Sequence, residues 1–205
     1  MYNFTFNIPT KIHFGKDTIS SLSELKAYGS KVLLVYGGGS IKKNGLYDTA
    51  MKILKDAGLT VFELSGVEPN PKIETVRKGV EICKNEGIDM VLAIGGGSTI
   101  DCSKVVAAGA RYDGDAWDLV LDGSKVKAAL PIFDVLTLSA TGTEMDPFAV
   151  ISDMSKNEKW GTGSPYMVPT MSILNPEYTF SVSKKLTAAE TADMMSHTME
   201  NYFSM

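Results

Sequence analysis

The stretch DMVLAIGGGSTIDCSKVVAAGA, residues 89–110, joins a short apolar run, three glycines and a longer segment of helical character. Residues 90–94 are apolar, which predicts a buried strand over residues 89–94. The glycines permit a tight turn, and residues 99–110 carry apolar side chains at helical spacing. A buried strand, a glycine turn and a helix in this order are typical of an open α/β sheet.

The same alternation recurs on both sides of this stretch. Short β-branched runs predict further strands, and amphipathic segments between them predict helices. Near-continuous apolar strands joined by helices favour an α/β fold, a Rossmann-like, mostly parallel sheet with helices on both faces. Residues 1–15 and 149–160 are expected to form antiparallel pieces at the periphery. The further elements predicted are strands at Lys31–Tyr36, Thr60–Leu64 and from residue 131, and helices at 47–58 and Ile73–Glu86.

Composition sets the class of protein. Of 205 residues 44% are apolar and 21% charged, with a net charge of −4, as in an ordinary globular protein. The absence of a basic cluster argues against nucleic-acid binding, and no apolar run reaches the roughly 18 residues of a membrane span. The chain begins without a signal-peptide pattern, and Cys83 and Cys102 fall in predicted helices. A reduced, cytoplasmic setting is therefore expected.

Two glycine loops follow predicted strands. One is Gly37-Gly38-Gly39-Ser40 and the other is Gly95-Gly96-Gly97-Ser98. Ligands of open α/β sheets bind at the carboxyl ends of strands, and free N–H groups at a helix start suit a pyrophosphate. Ser98 is expected to cap the following helix. Either loop alone could equally be a tight strand-to-helix connection, but two at equivalent positions favour a nucleotide site.

The first loop also bears on which dinucleotide is bound. Neither loop has the lysine of a phosphate-transfer P-loop, and neither forms G-x-G-x-x-G. NAD-selective sites commonly place an acid against the adenosine ribose, whereas here Tyr36 is followed by glycines and Ser40. Lys42 and Lys43 lie just beyond. This pattern favours NADP(H) over NAD(H), although each lysine by itself could be a solvated helix-start residue.

The last predicted helix carries a candidate metal site. Asp193 and His197 are four residues apart, so they share one helical face and can supply two ligands to a divalent metal. An exposed helix would show the same polar stripe, but the flanking methionines favour burial in a larger domain. No further histidine follows before Met205. We therefore expect a dinucleotide-binding domain over residues 1–178 and the first helix of a truncated, all-helical metal-binding domain over 179–205.

Six segments in order resemble the iron-containing (group III) alcohol dehydrogenases, specifically the butanol dehydrogenase and NADP-dependent aldehyde reductase branch. The resemblance spans essentially the whole chain, and the order of the motifs makes it specific. The segments are FGK (14–16), YGGGSIKKNG (36–45), EPNP (68–71), GGGSTIDCSK (95–104), LTLSATGTE (136–144) and D-x-x-x-H-x-x-E-x-Y (193–202). One departure is Asn175 before Pro176, where relatives usually have Asp.

The resemblance implies roles for individual residues. The loop from Gly37 to Ser40 would hold the 2′-phosphate, and the loop from Gly95 to Ser98 the pyrophosphate. Asp193 and His197 would be the first two ligands of Fe²⁺, or of Zn²⁺. Other residues implied to bind the cofactor are Asn70, Asp101, Thr137, Ser139, Thr141, Thr143 and Lys159.

Without the resemblance, several of these residues have simpler interpretations. Residues 137–143 could form only a turn of small residues. Lys159 could be a surface lysine. Asp101 could be an acid that favours the helix dipole.

The resemblance also implies an activity, namely metal-assisted hydride transfer between NADP(H) and a small primary alcohol or aldehyde. For this branch we expect NADPH to reduce small linear aldehydes, in a homodimer or higher homo-oligomer. Because the remaining metal ligands are missing, little or no turnover is expected of this chain alone. Two alternatives stay open, a non-catalytic NADP(H)-binding module and one half of a split dehydrogenase.

Overall fold

The computed structural model describes residues 3, 5 and 7–204. Its main sheet has six strands, and every neighbouring pair is parallel. A separate antiparallel hairpin is formed by two further strands. In chain order the strands are β1 (Lys11–Phe14), β2 (Lys31–Tyr36), β3 (Thr60–Leu64), β4 (Met90–Gly95), β5 (Ile132–Leu136), β6 (Phe148–Asp153), β7 (Glu158–Gly163) and β8 (Met171–Leu174).

Helices connect these strands and cover the sheet. A 3₁₀ helix, Thr18–Ala27, lies between β1 and β2. One shorter 3₁₀ turn precedes β5, and two more flank β8. None of the described helices is both long enough and apolar enough to cross a membrane. The α-helices are α1 (Ser40–Lys43), α2 (Leu46–Asp56), α3 (Ile73–Glu86), α4 (Gly97–Gly109), α5 (Ala116–Leu121) and α6 (Lys184–Phe203).

Strand order fixes where a ligand can bind. The order is β1-β8-β5-β4-β2-β3, so the chain leaves β2 toward one edge and leaves β4 toward the other. The crevice between the carboxyl ends of β2 and β4 is therefore the topological switch point, the usual ligand site of such sheets. Both glycine loops lie there, because one follows β2 and the other begins at the end of β4.

Two apolar cores lie on opposite faces of the sheet, which confirms the prediction of helices on both faces. In β2, Leu33 and Val35 pack with residues of α3, α4 and α5, whereas Val32 and Leu34 pack with residues of α2 and the first 3₁₀ helix. All four side chains are fully buried. Alternate side chains of a strand point to opposite faces, so a strand buried on both sides must be apolar throughout.

One prediction about strands was wrong, and one strand was missed. Residues 11–14 do not form an antiparallel piece, because β1 pairs in parallel with β8 at the edge of the main sheet. Residues 1, 2, 4 and 6, also part of that prediction, lie outside the described residues. Strand β8 was not predicted, and it lies inside the sheet between β1 and β5. The predicted antiparallel piece at 149–160 is confirmed by β6 and β7.

The final helix stands apart from both cores. Ser183 caps it by accepting a hydrogen bond from the Leu186 amide, 3.2 Å away. None of its described residues is buried, and the apolar side chains of Met195 and Tyr202 are mainly exposed. The division at residue 178 stays a prediction.

Candidate functional site: a dinucleotide cleft beside a partial metal site

A cleft crosses the switch point of the sheet. One cavity of about 470 Å³ lies beside the loop after β2, and another of about 520 Å³ lies beside the segment after β5. Gly97 and Ser98 line both cavities, so the two adjoin each other at the start of α4, and we call them together the cleft. A ligand in it would contact both glycine loops and the first turn of α6.

The start of α4 offers backbone donors to this cleft. The amides of Thr99 and Ile100 both bond to the Gly96 carbonyl, at 3.0 and 3.2 Å. The amides of Gly97 and Ser98 have no acceptor among the described residues. Two free N–H groups at the positive end of a 13-residue helix are suited to a phosphate or another anion.

Ser98 does not have the capping role predicted for it. The residue that precedes the helix is Gly96, and Ser98 lies inside the first turn. Its hydroxyl instead accepts a 3.3 Å hydrogen bond from the amide of Asn70, which adopts a left-handed backbone conformation with φ of 54°. The serine thus ties the loop after β3 to the helix start.

The loop after β2 forms the other end of the cleft. Gly37, Gly38 and Ser40 line the cavity there. Gly39 does not line it, but its φ of 100° reverses the chain into α1, a conformation that favours glycine. An added Cβ at Gly38 would meet no atom within 4 Å, so this part of the loop is open to a ligand.

Lys42 does not point into the cleft as its position in the sequence suggested. Its ammonium lies over the rings of Tyr36 and Tyr47, and 3.9 Å from the Glu63 carboxylate. Both phenol hydroxyls donate to the same carboxylate, at 2.6 and 2.8 Å. The hydrogen bond from Tyr36 lowers the pKa of Glu63. This cluster pairs the lysine's charge outside the cavity, so Lys42 gives the loop no free cation.

Asp101 lies at the far end of the cleft, one turn into α4. Its carboxylate accepts from the Thr143 hydroxyl at 2.7 Å and from the Val150 amide at 3.0 Å. Burial raises the pKa of Asp101, and these two hydrogen bonds oppose the rise. Asp101 and Thr143 both line the cavity. Sequence reasoning had placed both residues at the cofactor.

Lys159 and Asn70 form a bridge over the same cavity. Lys159, on β7 of the hairpin, donates to the Asn70 side-chain oxygen at 2.7 Å. Both residues line the cavity together with Thr141. The hairpin therefore contributes a cation to the cleft, although its strands lie outside the main sheet.

The predicted metal ligands adjoin this cavity. Asp193 lines it, and its carboxylate lies 3.6 Å from the ring of His197 one helical turn away. One carboxylate and one imidazole fit part of the donor set of Fe²⁺ or Zn²⁺. No group of three or more His, Cys, Asp or Glu side chains within residues 3, 5 and 7–204 is placed to hold a metal ion. The described residues therefore supply an incomplete site.

The predicted residues mostly come together, with three exceptions. Thr137 lines the cavity beside the first loop, as do Gly95 and Gly96. Ser139 instead lines a separate depression beside Pro176. Gly39 and His197 line neither part of the cleft, although each adjoins a residue that does.

Sequence reasoning missed three charged residues at or behind the cleft. Glu190 lines both cavities, and burial raises its pKa. Glu144 lines the cavity beside Asp101. Lys104 is fully buried directly behind Thr143. A lysine between Ser103 and two valines in an otherwise apolar helix was the available signal for this last residue.

Comparisons with known proteins show the family of this chain. A family model described as iron-containing alcohol dehydrogenase matches residues 9–176. The chain is 61% identical over 205 residues to NADH-dependent butanol dehydrogenase A of Clostridium acetobutylicum, covering 100% of this chain and 53% of that protein. It is 39% identical to NADPH-dependent aldehyde reductase YqhD of Escherichia coli, covering 98% and 52%.

Solved structures give the same result. NADH-dependent butanol dehydrogenase A of Thermotoga maritima superposes with a TM-score of 0.96 at 48% identity, covering 99% of this chain and 52% of that one. This match confirms the predicted Rossmann-like fold. The chain spans about half the length of these relatives and corresponds to their N-terminal half. Since the family model covers most of its length, the chain belongs to the iron-containing alcohol dehydrogenase family.

Proposed function

We propose that the chain binds a nicotinamide adenine dinucleotide along the cleft over α4 and presents its ring to Asp193. The observation that carries this proposal is the pair of free amides of Gly97 and Ser98, which lie where the two cavities join. The pyrophosphate would accept from these amides. The adenosine end would lie against Gly37 and Gly38, and the nicotinamide end against Asp101 and Thr143.

At the adenosine end we propose that NADP(H) is accepted at least as well as NAD(H). The one acidic residue among the described lining of this cavity, Glu190, also lines the second cavity, so it belongs where the two adjoin and not to the Gly38 end. The nearest acid on β3, Glu63, is held by two tyrosines and Lys42. A 2′-phosphate therefore meets no unpaired negative charge there. Lys42 adds no attraction, because it is paired with Glu63, so strong selection for the phosphate is not part of the proposal. The relatives' names include both NADH-dependent and NADPH-dependent enzymes.

The proposed reaction is hydride transfer between this dinucleotide and a small primary alcohol or aldehyde. The names of the relatives, butanol dehydrogenase and aldehyde reductase, support this substrate class. In aldehyde reduction, the hydride leaves the reduced ring for the carbonyl carbon, and the oxygen takes up a proton. This chain would align the dinucleotide with the substrate. Lys159 and Asn70, which are hydrogen-bonded to each other, would cover the nicotinamide end of the cleft.

A divalent metal belongs to the same proposal. Asp193 and His197 would supply two of its ligands, and the others must come from residues outside those described. When bound, such a metal polarises the substrate oxygen as a Lewis acid. Because two ligands hold a divalent ion weakly, we propose that the chain alone binds dinucleotide but turns over little. The preference for Fe²⁺ rests on the family name.

The test is a fluorescence titration of the chain with NADPH and with NADH, repeated for Ser40→Asp. Ser40 lines the adenosine end of the cleft, and an added carboxylate there would repel a 2′-phosphate. We expect both dinucleotides to bind the unmodified chain, and Ser40→Asp to weaken NADPH by about tenfold or more, roughly 1.4 kcal/mol, while NADH changes little.

The matched control is Ser23→Asp, which adds the same charge at an exposed serine far from the cleft. It should leave both affinities unchanged. Failure of the unmodified chain to bind either dinucleotide would refute the proposal. NADPH binding tenfold weaker than NADH would refute the part that concerns the 2′-phosphate. A metal-dependent turnover assay with butanal and NADPH measures whether the chain is active by itself.

A further inference from the structure

We propose that Lys104 is a positioning residue for the nicotinamide end of the cleft. Through Thr143 it fixes the orientation of the Asp101 carboxylate, and through residues 146 and 148 it holds the segment after β5 against α4. The part that concerns nicotinamide rests on the proposed function, whereas the part that concerns the protein's own geometry does not.

The surroundings of Lys104 are unusual for a lysine. Its side chain is fully buried, and its ammonium lies within 2.7–2.9 Å of four oxygen atoms. These belong to the Thr143 hydroxyl, the Asp146 carbonyl and carboxylate, and the Phe148 carbonyl. All four acceptors come from residues 143–148, so one buried charge holds against the helix a turn segment that ends at the first residue of β6. Charge-assisted hydrogen bonds of this kind are about twice as strong as neutral ones.

The direction of the hydrogen bonds is determined by chemistry. An ammonium group only donates, so the Thr143 hydroxyl must accept from Lys104. The single proton of that hydroxyl is then available for the Asp101 carboxylate, 2.7 Å away. The chain of donors therefore runs from Lys104 through Thr143 to Asp101. It leaves the second oxygen of Asp101 to accept from the Val150 amide.

The first two turns of α4 connect the free amides to the segment that Lys104 binds. Gly97 and Ser98 begin α4, Asp101 follows one turn later, and Lys104 lies a further turn along on the side of the segment. Because the helix is rigid, the segment that Lys104 binds is held at a fixed distance from the free amides. A ligand that spans from those amides to Thr143 would need that distance to be constant.

A purely structural role would not require a charge. Burying an ammonium is costly before its hydrogen bonds are counted, and a well-packed apolar side chain of similar size often does as well or better for stability. A methionine would fill the same volume without that cost. What methionine cannot do is donate to Thr143 and to the carbonyls of the segment, which is the function assigned to Lys104.

The experiment compares Lys104→Met with Thr143→Val and Thr143→Ser in the 205-residue chain. Thr143→Val keeps the branched shape and removes the hydroxyl between Lys104 and Asp101, whereas Thr143→Ser keeps the hydroxyl. The matched control is Val106→Ala, which opens a cavity in the same helix on the side that packs against Gly79. It lowers stability without touching the segment.

The first measurement is hydrogen exchange of the unliganded protein. Lys104→Met should speed exchange of the Phe148 and Val150 amides, whose acceptors are Asp146 and Asp101, by about tenfold or more relative to amides in β2. Thr143→Val should do so at Val150, and Thr143→Ser should not. Val106→Ala should change exchange at Phe148 and Val150 and exchange in β2 by similar factors. Unchanged exchange at Val150 in both Lys104→Met and Thr143→Val would overturn the proposal whether or not a dinucleotide binds.

The second measurement compares NADH with ADP-ribose, which lacks the nicotinamide. Lys104→Met and Thr143→Val should weaken NADH binding by about tenfold, while ADP-ribose binding changes less than about threefold. Thr143→Ser should bind both ligands as the unmodified chain does. Equal losses for both ligands would contradict a role at the nicotinamide end. If Lys104→Met does not fold, the two Thr143 variants decide the question. If the unmodified chain binds neither ligand, the proposed function fails and hydrogen exchange alone decides the positioning role.

Discussion

Replacing Asp134 by asparagine should change how the stability of this protein depends on pH. Asp134 lies in β5, is fully buried, and has one carboxyl oxygen without a hydrogen-bond partner among the described residues. Its other oxygen lies 2.6 Å from the Ser172 hydroxyl, which also lies 2.7 Å from the Glu144 carbonyl. A carbonyl only accepts, so the single proton of Ser172 goes there, and Asp134 must itself donate to Ser172. This geometry requires a protonated Asp134.

The size and sign of the effect follow from linkage. Burial raises the pKa of Asp134 well above its ordinary value of 3.8. Folded Asp134 then keeps a proton that the unfolded chain has lost, so its stabilising contribution is complete below pH 3.8 and is lost as pH rises toward the folded pKa. Over that window the wild-type protein should lose about 1.4 kcal/mol of stability per pH unit relative to Asp134→Asn. Subtracting the variant removes the contribution of every other titrating group.

The assay is urea unfolding of both proteins at intervals between pH 4 and 8, followed by circular dichroism. Asp113→Asn makes the same chemical change at an exposed carboxyl and serves as the control. The free-energy difference between Asp134→Asn and wild type should shift in favour of asparagine as pH rises, and more steeply than in the control. A difference that stays constant with pH, or that favours aspartate at high pH, would refute the protonated state.

Three further outcomes are expected. Gly97→Ala should leave unfolding unchanged or slightly stabilised, because its Cβ meets only ordinary contacts beyond 3.4 Å, yet it should weaken NADPH binding measured by fluorescence by placing a methyl in the cleft. Cys83 and Cys102 should not react with a thiol reagent at pH 8 until urea is added, since burial raises the pKa of both thiols to about 12. Gly29→Ala should cost about 1–3 kcal/mol in urea unfolding, because its Cβ would lie 2.4 Å from the side chain of Asp89.

The central strands and helices could be predicted because each carries its own signal. Lys31–Tyr36, Thr60–Leu64 and Ile73–Glu86 have the bounds that apolar periodicity indicated. A strand that is buried on both faces must be almost entirely apolar, and a covering helix must repeat apolar residues every three or four positions. These constraints act within a few residues, so a single sequence displays them.

Strands β1 and β8, the last two on one side of the sheet, could not be predicted in the same way. Strand β8 has only four residues, lies among prolines, and resembles the loops around it. The direction of β1 depends on its partner, since Lys11 pairs with Met171 far along the chain. No local pattern encodes that pairing. The pairing of β1 with β8 can therefore be seen only in the assembled sheet.

In the candidate site, too, local features could be predicted and long-range contacts could not. The glycine loops were found because positive φ angles and close backbone approach require particular residue types. The sequence does not show which way a side chain points. Lys42 was therefore predicted to lie beside a phosphate, although its ammonium lies over the rings of Tyr36 and Tyr47. Lys104 and Asp134 were missed because a polar residue within an apolar run gives no hint of its partners, which lie about 40 positions away.

The central claim is that the free amides of Gly97 and Ser98 hold the pyrophosphate of a dinucleotide. The most direct measurement is a titration of ¹⁵N-labelled protein with NADPH, followed through backbone amide shifts. We predict saturable shifts that are largest at Gly97 and Ser98 and extend to Gly37 and Gly38. Saturation that leaves the Gly97 and Ser98 resonances unmoved, with the shifts gathered elsewhere, would contradict it.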